Sequence, residues 1–116
     1  EETALYMSAA DVLVMSSVSE GRPNSMYCAL ATDLPIVSTD VGGISEVIQN
    51  NRNGLLVPPK SPLMLRQAIQ EVLKNETLRK KLSNQGRRTI EEKKLTWEHH
   101  AKQVIEVYRK VVRKKR

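Results

Sequence analysis

The stretch at residues 16–43, SSVSEGRPNSMYCALATDLPIVSTDVGG, constrains the fold more than any other part of the chain. It follows a short apolar run, Asp11-Val12-Leu13-Val14-Met15, which suits a buried strand and is too short for a helix. Ser16, Ser17, Ser19 and Gly21 break that run. Pro23 can then take the first position of a helix, where its missing N–H leaves nothing unsatisfied. This pattern predicts a helix over 24–31. Its first amides have no partner inside the helix and carry the positive end of the helix dipole, so they face whatever lies beyond the strand's carboxyl end. An anion suits that position. Water on an ordinary strand-to-helix turn suits it as well.

The rest of the chain repeats the strand-and-helix alternation. Strands are expected at 12–15, 35–39 and 54–57, each apolar on both faces, as in a parallel sheet covered by helices on each side. Gly42-Gly43 ends the second strand and permits positive φ. A short helix over 45–49 with Glu46 in its first turn follows, then the turn cluster Asn50-Asn51-Arg52-Asn53-Gly54, and Pro58-Pro59 stops the third strand. Upstream, 3–10 reads as a helix with Leu5 and Ala9 one turn apart. Ser61-Pro62 reads as an N-cap and first residue of a helix whose buried stripe is Leu65, Ala68, Ile69 and Val72. The next helix, about 76–90, carries Leu78 and Leu82 one turn apart, with Gly86 weakening it by about 1 kcal/mol. Thr96 caps a last helix with the apolar seam Trp97, Ala101, Val104, Ile105, Tyr108 and Val111. The expected fold is therefore α/β, three short parallel strands flanked by helices. Residues 1–60 form its α/β core and 61–116 a helical part.

Composition narrows the partners. A chain of 116 residues with 40% hydrophobic and 28% charged residues is one soluble globular domain. The single cysteine excludes an internal disulfide and fits a reducing compartment, and no apolar run approaches a membrane span, so a cytoplasmic protein is expected. The net charge of +6 is concentrated late, ending in Arg113-Lys114-Lys115-Arg116. That basic end reads as solvated helix faces or as a peripheral contact with anionic lipid headgroups. Nucleic acid is not expected, because no aromatic residues beyond Tyr108 interleave with the basic run. His99 and His100 point in different directions on a helix, and no second cluster completes a metal site. The chain also lacks a dinucleotide glycine fingerprint, a phosphate-loop lysine and a serine-hydrolase elbow.

The order of residues is more specific than their periodicity. Glu20-Gly21-Arg22-Pro23-Asn24 is followed by an alanine-containing helix, by Leu34-Pro35-Ile36-Val37-Ser38-Thr39-Asp40-Val41-Gly42-Gly43-Ile44-Ser45-Glu46 and by Gly54-Leu55-Leu56-Val57-Pro58-Pro59. This series resembles the carboxyl-terminal, donor-binding domain of retaining GT-B glycosyltransferases, in the group 1 family that includes glycogen and sucrose synthases. The resemblance implies transfer of a glycosyl group from a UDP-, GDP- or ADP-sugar to an acceptor, with no metal and no further cofactor. It implies that Glu20 accepts hydrogen bonds from hydroxyls of the donor sugar. It further implies that Gly21, Arg22, Pro23, Asn24 and Ser25, chiefly through the Asn24 and Ser25 amides, hold the sugar and its diphosphate. A carboxylate at Glu20 can also simply cap the helix.

Two departures from the family pattern stand out. The family places a second glutamate after seven intervening residues, and here that position is Cys28, where the glutamate would hold the ribose hydroxyls. A thiol is a weak acceptor and cannot make that two-point contact, so Cys28 is expected to be a small buried side chain at a weakened nucleotide site. Thr32-Asp33 stand where the family has a small residue and glycine. By the same resemblance the upstream half of the domain and the whole amino-terminal domain lie outside this chain, so a Rossmann-like half-domain, a fragment inactive alone, is expected. The 12–15 strand would then be an open edge that a missing domain or another chain covers. Two alternatives remain open: a noncatalytic GT-B-derived binding or scaffolding module, and a fragment of a sugar-nucleotide epimerase.

Overall fold

The structure is a computed structural model that describes residues 2–17, 21, 24–93 and 97–115, with side chains described at 6–17, 21, 24–93 and 101–112. Three short runs pair in parallel as one sheet: β1 (Leu13–Met15), β2 (Ile36–Thr39) and β3 (Leu55–Val57), in the order β1-β2-β3. Leu13 lies opposite Ile36 and Val37 opposite Leu55. Each strand begins one residue later than the sequence pattern suggests. Val12 packs against the core without joining the ladder, and the Leu13 N–H donates to the Pro35 carbonyl at 2.8 Å.

Helices α1 (Glu2–Ala9), α2 (Asn24–Ala31), α3 (Pro62–Lys74), α4 (Glu76–Glu92) and α5 (Trp97–Lys115) alternate with the strands and then follow them. Because side chains along a strand alternate in direction, β2 feeds two separate cores. Ile36 joins Met15, Met26, Ala29, Leu30, Leu34, Ile44, Val47 and Ile48 on the α2 side. Val37 joins Leu55, Val57, Ala68, Val72 and Leu82 on the α3 side. The sheet is covered on both faces, as expected, and all four residues of β2 are buried. At the edge, Val14 of β1 is exposed, and among the described residues β1 pairs only with β2.

Several local expectations need correction, each for a physical reason. The helix over 45–49 is a single 3-10 turn, Ile44–Glu46, because the Asn53 side chain accepts the Gln49 N–H at 2.7 Å and closes the chain into the next turn. Ser61 occupies the N-cap of α3 without a capping side-chain bond, so Pro62 with its preset φ carries that helix start. Asn75 is the true side-chain cap, accepting the Leu78 N–H at the start of α4. In α1 Ala9 is exposed, and Met7 is the residue that packs on the core; Leu5 lies outside the described side chains.

Asp33, at the end of α2, adopts the left-handed conformation with φ of 59°. The Leu34 N–H reaches back to the Ala29 carbonyl at 3.0 Å, the six-to-one bond of a Schellman ending. An Arg87 Nη2 ion pair at 2.9 Å accompanies it.

Gly86 has a packing role that offsets its low helix propensity. It is buried where α4 crosses α2, and a Cβ there would sit 3.1 Å from the Leu30 Cδ2. Helix α4 runs past it to Glu92. The seam of α5 does not dock on the sheet: every described side chain from 101 to 112 is exposed, Ile105 by 50% and Tyr108 by 68%. Trp97 and the Thr96 cap lie outside the described side chains, as do His99, His100 and the basic end from 113. Among the described residues no helix is long and apolar enough to cross a membrane.

Candidate functional site

In a parallel sheet all strands end on one edge, so the loops after Met15, Thr39 and Val57 gather on the same side of the molecule. Open α/β sheets place ligands in the crevice beyond these carboxyl ends. Here the edge carries the loop from β1 into α2 and the glycine turn that follows β2.

Helix α2 is aimed by its own buried face. Met26, Ala29 and Leu30 recur at helical spacing and are buried in the core, which leaves the helix start at the carboxyl edge of β1. Asn24 is exposed and Ser25 half-buried, and their amides meet no acceptor among the described residues. The Ser25 hydroxyl leans back on the Met15 sulfur at 3.9 Å, a weak contact that leaves its amide free to point outward. A Cβ placed on Gly21 would meet nothing within 4 Å among the described residues, so a ligand could approach the backbone closely there.

The second glycine turn forms the other wall. Gly42 has φ of 55°, a conformation that favours glycine, and the Gly43 N–H donates to the Gly21 carbonyl at 3.2 Å. Gly21, Asn24 and Ser25 therefore lie together at one edge, beside Gly42 and Gly43. Glu20, Arg22 and Pro23 lie outside the described residues.

Cys28 follows Asn24 by one turn of α2, and its thiol is free and half-buried, which corrects the expectation of a buried side chain. The reason is visible in the helix pattern: Met26, Ala29 and Leu30 already fill the face turned to the core, and Cys28 lies to one side of it. Its carbonyl accepts both the Thr32 N–H at 3.1 Å and the Thr32 hydroxyl at 2.8 Å, so the backbone at this position belongs to the helix ending.

Two buried polar residues, Thr39 at this edge and Asn53 just before the amino end of β3, were given no side-chain role by sequence reasoning. Thr39 is buried, and its hydroxyl donates to the Ser17 carbonyl at 2.6 Å. Asn53 is buried and joins the loop after the 3-10 turn to α4 through Thr89. A polar residue closing an otherwise apolar strand was the only available sign of the first.

Comparison with known proteins identifies the family and the fold. A family model described as glycosyl transferases group 1 matches residues 1–89. An uncharacterized glycosyltransferase of Methanocaldococcus jannaschii is 35% identical over 108 residues, which is 93% of this chain and 30% of that protein. A solved sucrose-phosphate synthase from Thermosynechococcus elongatus superposes with a TM-score of 0.90 at 32% identity, covering 96% of this chain and 28% of its own. Anabaena HepE, solved in complex with UDP-glucose, shares the fold with a TM-score of 0.74 at 18% identity over 78% of this chain and 26% of its own. The chain thus spans less than a third of the length of each of these proteins.

Proposed function

We propose that this chain, which belongs to the glycosyl transferases of group 1, forms part of the donor site of a retaining glycosyltransferase. In the whole enzyme the bond between the anomeric carbon and the donor's diphosphate breaks, and a bond to an acceptor hydroxyl forms with the same stereochemistry. The observation that carries this reading is the start of α2. The amides of Asn24 and Ser25 lack acceptors among the described residues and sit at the carboxyl edge of the sheet beside Gly21, where a Cβ would meet no described residue within 4 Å. Such amides stabilise the diphosphate, and most strongly as negative charge gathers on it when the glycosyl bond breaks. HepE, which shares the fold, was solved with UDP-glucose, and a nucleotide diphospho-sugar is the ligand class proposed here.

On this reading Glu20 accepts hydrogen bonds from the sugar, and Arg22 and Pro23 belong to the donor-binding stretch. No metal or further cofactor takes part. The open edge of β1 and the apolar seam of α5 are surfaces for an amino-terminal domain or another chain. The enzyme works in the cytoplasm. The 116-residue chain by itself is expected to bind donor without transferring sugar.

Titrating the chain with UDP, GDP, ADP and inorganic diphosphate tests the reading. Amide resonances of Gly21, Asn24 and Ser25 should move in a saturable manner, while those of α3 stay in place. No movement at millimolar ligand would overturn the donor-site reading.

A second reading, a noncatalytic binding module derived from the same fold, is favoured by one observation, the half-buried thiol of Cys28 at the position of the family's second glutamate. Cys28→Glu separates the two. A charge-assisted hydrogen bond contributes about 1.5–3 kcal/mol, so the restored carboxylate should tighten nucleotide binding about ten- to a hundredfold. It should leave inorganic diphosphate, which has no ribose, unchanged. Isothermal titration with UDP and with diphosphate reads both. An unchanged UDP affinity favours the noncatalytic module.

A further inference from the structure

We infer that Thr39 is a positioning residue for the diphosphate-binding turn, an inference that rests on the donor-site reading above. Thr39 is the last residue of β2 and is 4% exposed. Its hydroxyl donates to the Ser17 carbonyl at 2.6 Å and lies 3.5 Å from the Met15 carbonyl. Met15, opposite Ser38, is the last residue of β1, so the backbone ladder between the two strands stops there. The Thr39 side chain extends the attachment past the end of the sheet, onto the loop that leads into α2.

Two further bonds make this a clamp with a defined geometry. The Ser38 hydroxyl donates to the Thr39 carbonyl at 2.9 Å, and the Asp40 N–H donates to the Val57 carbonyl at 2.8 Å, so the backbone on both sides of Thr39 is held. Threonine is branched at Cβ and has few rotamers to choose from, so its hydroxyl is fixed once the backbone is. Farther along, the Gly43 N–H holds the Gly21 carbonyl at 3.2 Å. Ser17 and Gly21 are both tied to the single connection that leaves β2. Asn24 and Ser25 follow Gly21 by three and four residues in the chain, so where Ser17 and Gly21 are held bears on the direction of the helix-start amides.

The sheet and its two cores do not need this hydroxyl. Valine has the shape and volume of threonine and would pack as well against the strand, but it offers nothing to the Ser17 carbonyl. Serine keeps the hydroxyl and loses only a methyl group. The pair separates holding the loop from filling the space.

The experiment uses the full chain and follows binding of UDP and inorganic diphosphate by titration calorimetry and by amide shifts, with urea midpoints measured alongside. Thr39→Val should weaken both ligands about tenfold, the effect of losing one well-placed hydrogen bond. In the free protein it should displace the Gly21, Asn24 and Ser25 resonances. Thr39→Ser should bind within about threefold of the parent, a difference smaller than one such bond makes, with those resonances in place. If Thr39→Val does not fold, Thr39→Ala supplies a second hydroxyl-free variant for the same comparison. Equal binding by parent and Thr39→Val overturns the inference and leaves the donor-site reading intact. Equal weakening in Thr39→Val and Thr39→Ser also overturns it, because packing rather than the hydroxyl would then be responsible. Failure of the parent chain to bind either ligand overturns the donor-site reading and this inference with it.

Discussion

Met26→Ala is expected to lower the stability of the chain by about 2–5 kcal/mol, the range for truncating a fully buried long side chain to alanine. Met26 is completely buried and lies among Ala29, Leu30, Leu34 and Ile44 on the α2 side of the sheet. Alanine there removes the apolar contacts and leaves a cavity that neighbours on three elements cannot collapse to fill. A chain of this size has roughly 6–17 kcal/mol of stability in total, so the loss is a large fraction of it. Urea unfolding monitored by circular dichroism should show the midpoint falling with an unchanged slope. Met64→Ala, at a residue 45% exposed on α3, is the internal control and should stay within about 0.5 kcal/mol of the parent. The functional consequence follows from the position of Met26. It lies two residues after Asn24, so the same packing that stabilises the core also fixes where the helix-start amides point. Binding of diphosphate should weaken in Met26→Ala at temperatures where the variant is still folded.

Asn53→Leu is expected to be comparably damaging, for a different reason. The Asn53 side chain is buried and satisfies three partners. Its Oδ1 accepts the Gln49 N–H at 2.7 Å, and its Nδ2 donates to the Val47 carbonyl at 2.9 Å and to the Thr89 hydroxyl oxygen at 2.8 Å. Thr89 in turn donates to the Gln85 carbonyl at 2.8 Å. Leucine has a similar volume, so the loss is not one of space. It leaves the buried Val47 carbonyl and the part-buried Gln49 N–H without this partner, each at about 1–3 kcal/mol, for a total of about 2–6 kcal/mol. In a double-mutant cycle, Thr89→Val in the Asn53→Leu background should cost less than Thr89→Val alone, with a coupling of about 0.5–3 kcal/mol. Strict additivity of the two would show that the bond contributes nothing. This network joins the loop after the 3-10 turn to α4, and the Lys93 Nζ bond to the Glu46 carbonyl at 2.7 Å, together with the Arg52–Glu92 ion pair at 3.8 Å, reinforces the same junction from the surface.

What the amino-acid order revealed about this molecule follows the range of the interactions involved. The strands were legible because each is a short apolar run between breakers, and the Pro62 and Asn24 helix starts were legible because proline and the preceding serines and glycines leave few alternatives. The stripe Leu65, Ala68, Ile69 and Val72 lies on the sheet as its spacing requires, with Ala68 and Val72 buried.

Features that depend on distant residues were not legible. Gly86 reads as a flaw in α4 until Leu30, far away in the chain, is found against it. Asp33 in a left-handed conformation and Asn53 ending a turn of helix depend on hydrogen bonds that no local pattern announces. Within the site, the meeting of Gly21 with Gly43 and of Ser17 with Thr39 is a product of strand pairing. The Ser17–Thr39 bond spans 22 residues of sequence. The order of residues named the amides; the sheet brought their two supports together.

Helix α5 has a consequence for how this protein comes apart. Its described side chains, those of 101–112, are all exposed, so this stretch persists mainly through its own backbone bonds and not through shared burial. Val104, Ile105, Val107, Val111 and Val112 are poor helix formers in water when nothing lies against them, and isolated helices of this length are only marginally formed. The chain therefore holds two melting units of unequal rank. One is the sheet with its paired cores, which dissolves as a whole; the other is an arm that frays and re-forms many times for each event in the body, without drawing on the cohesion of β2.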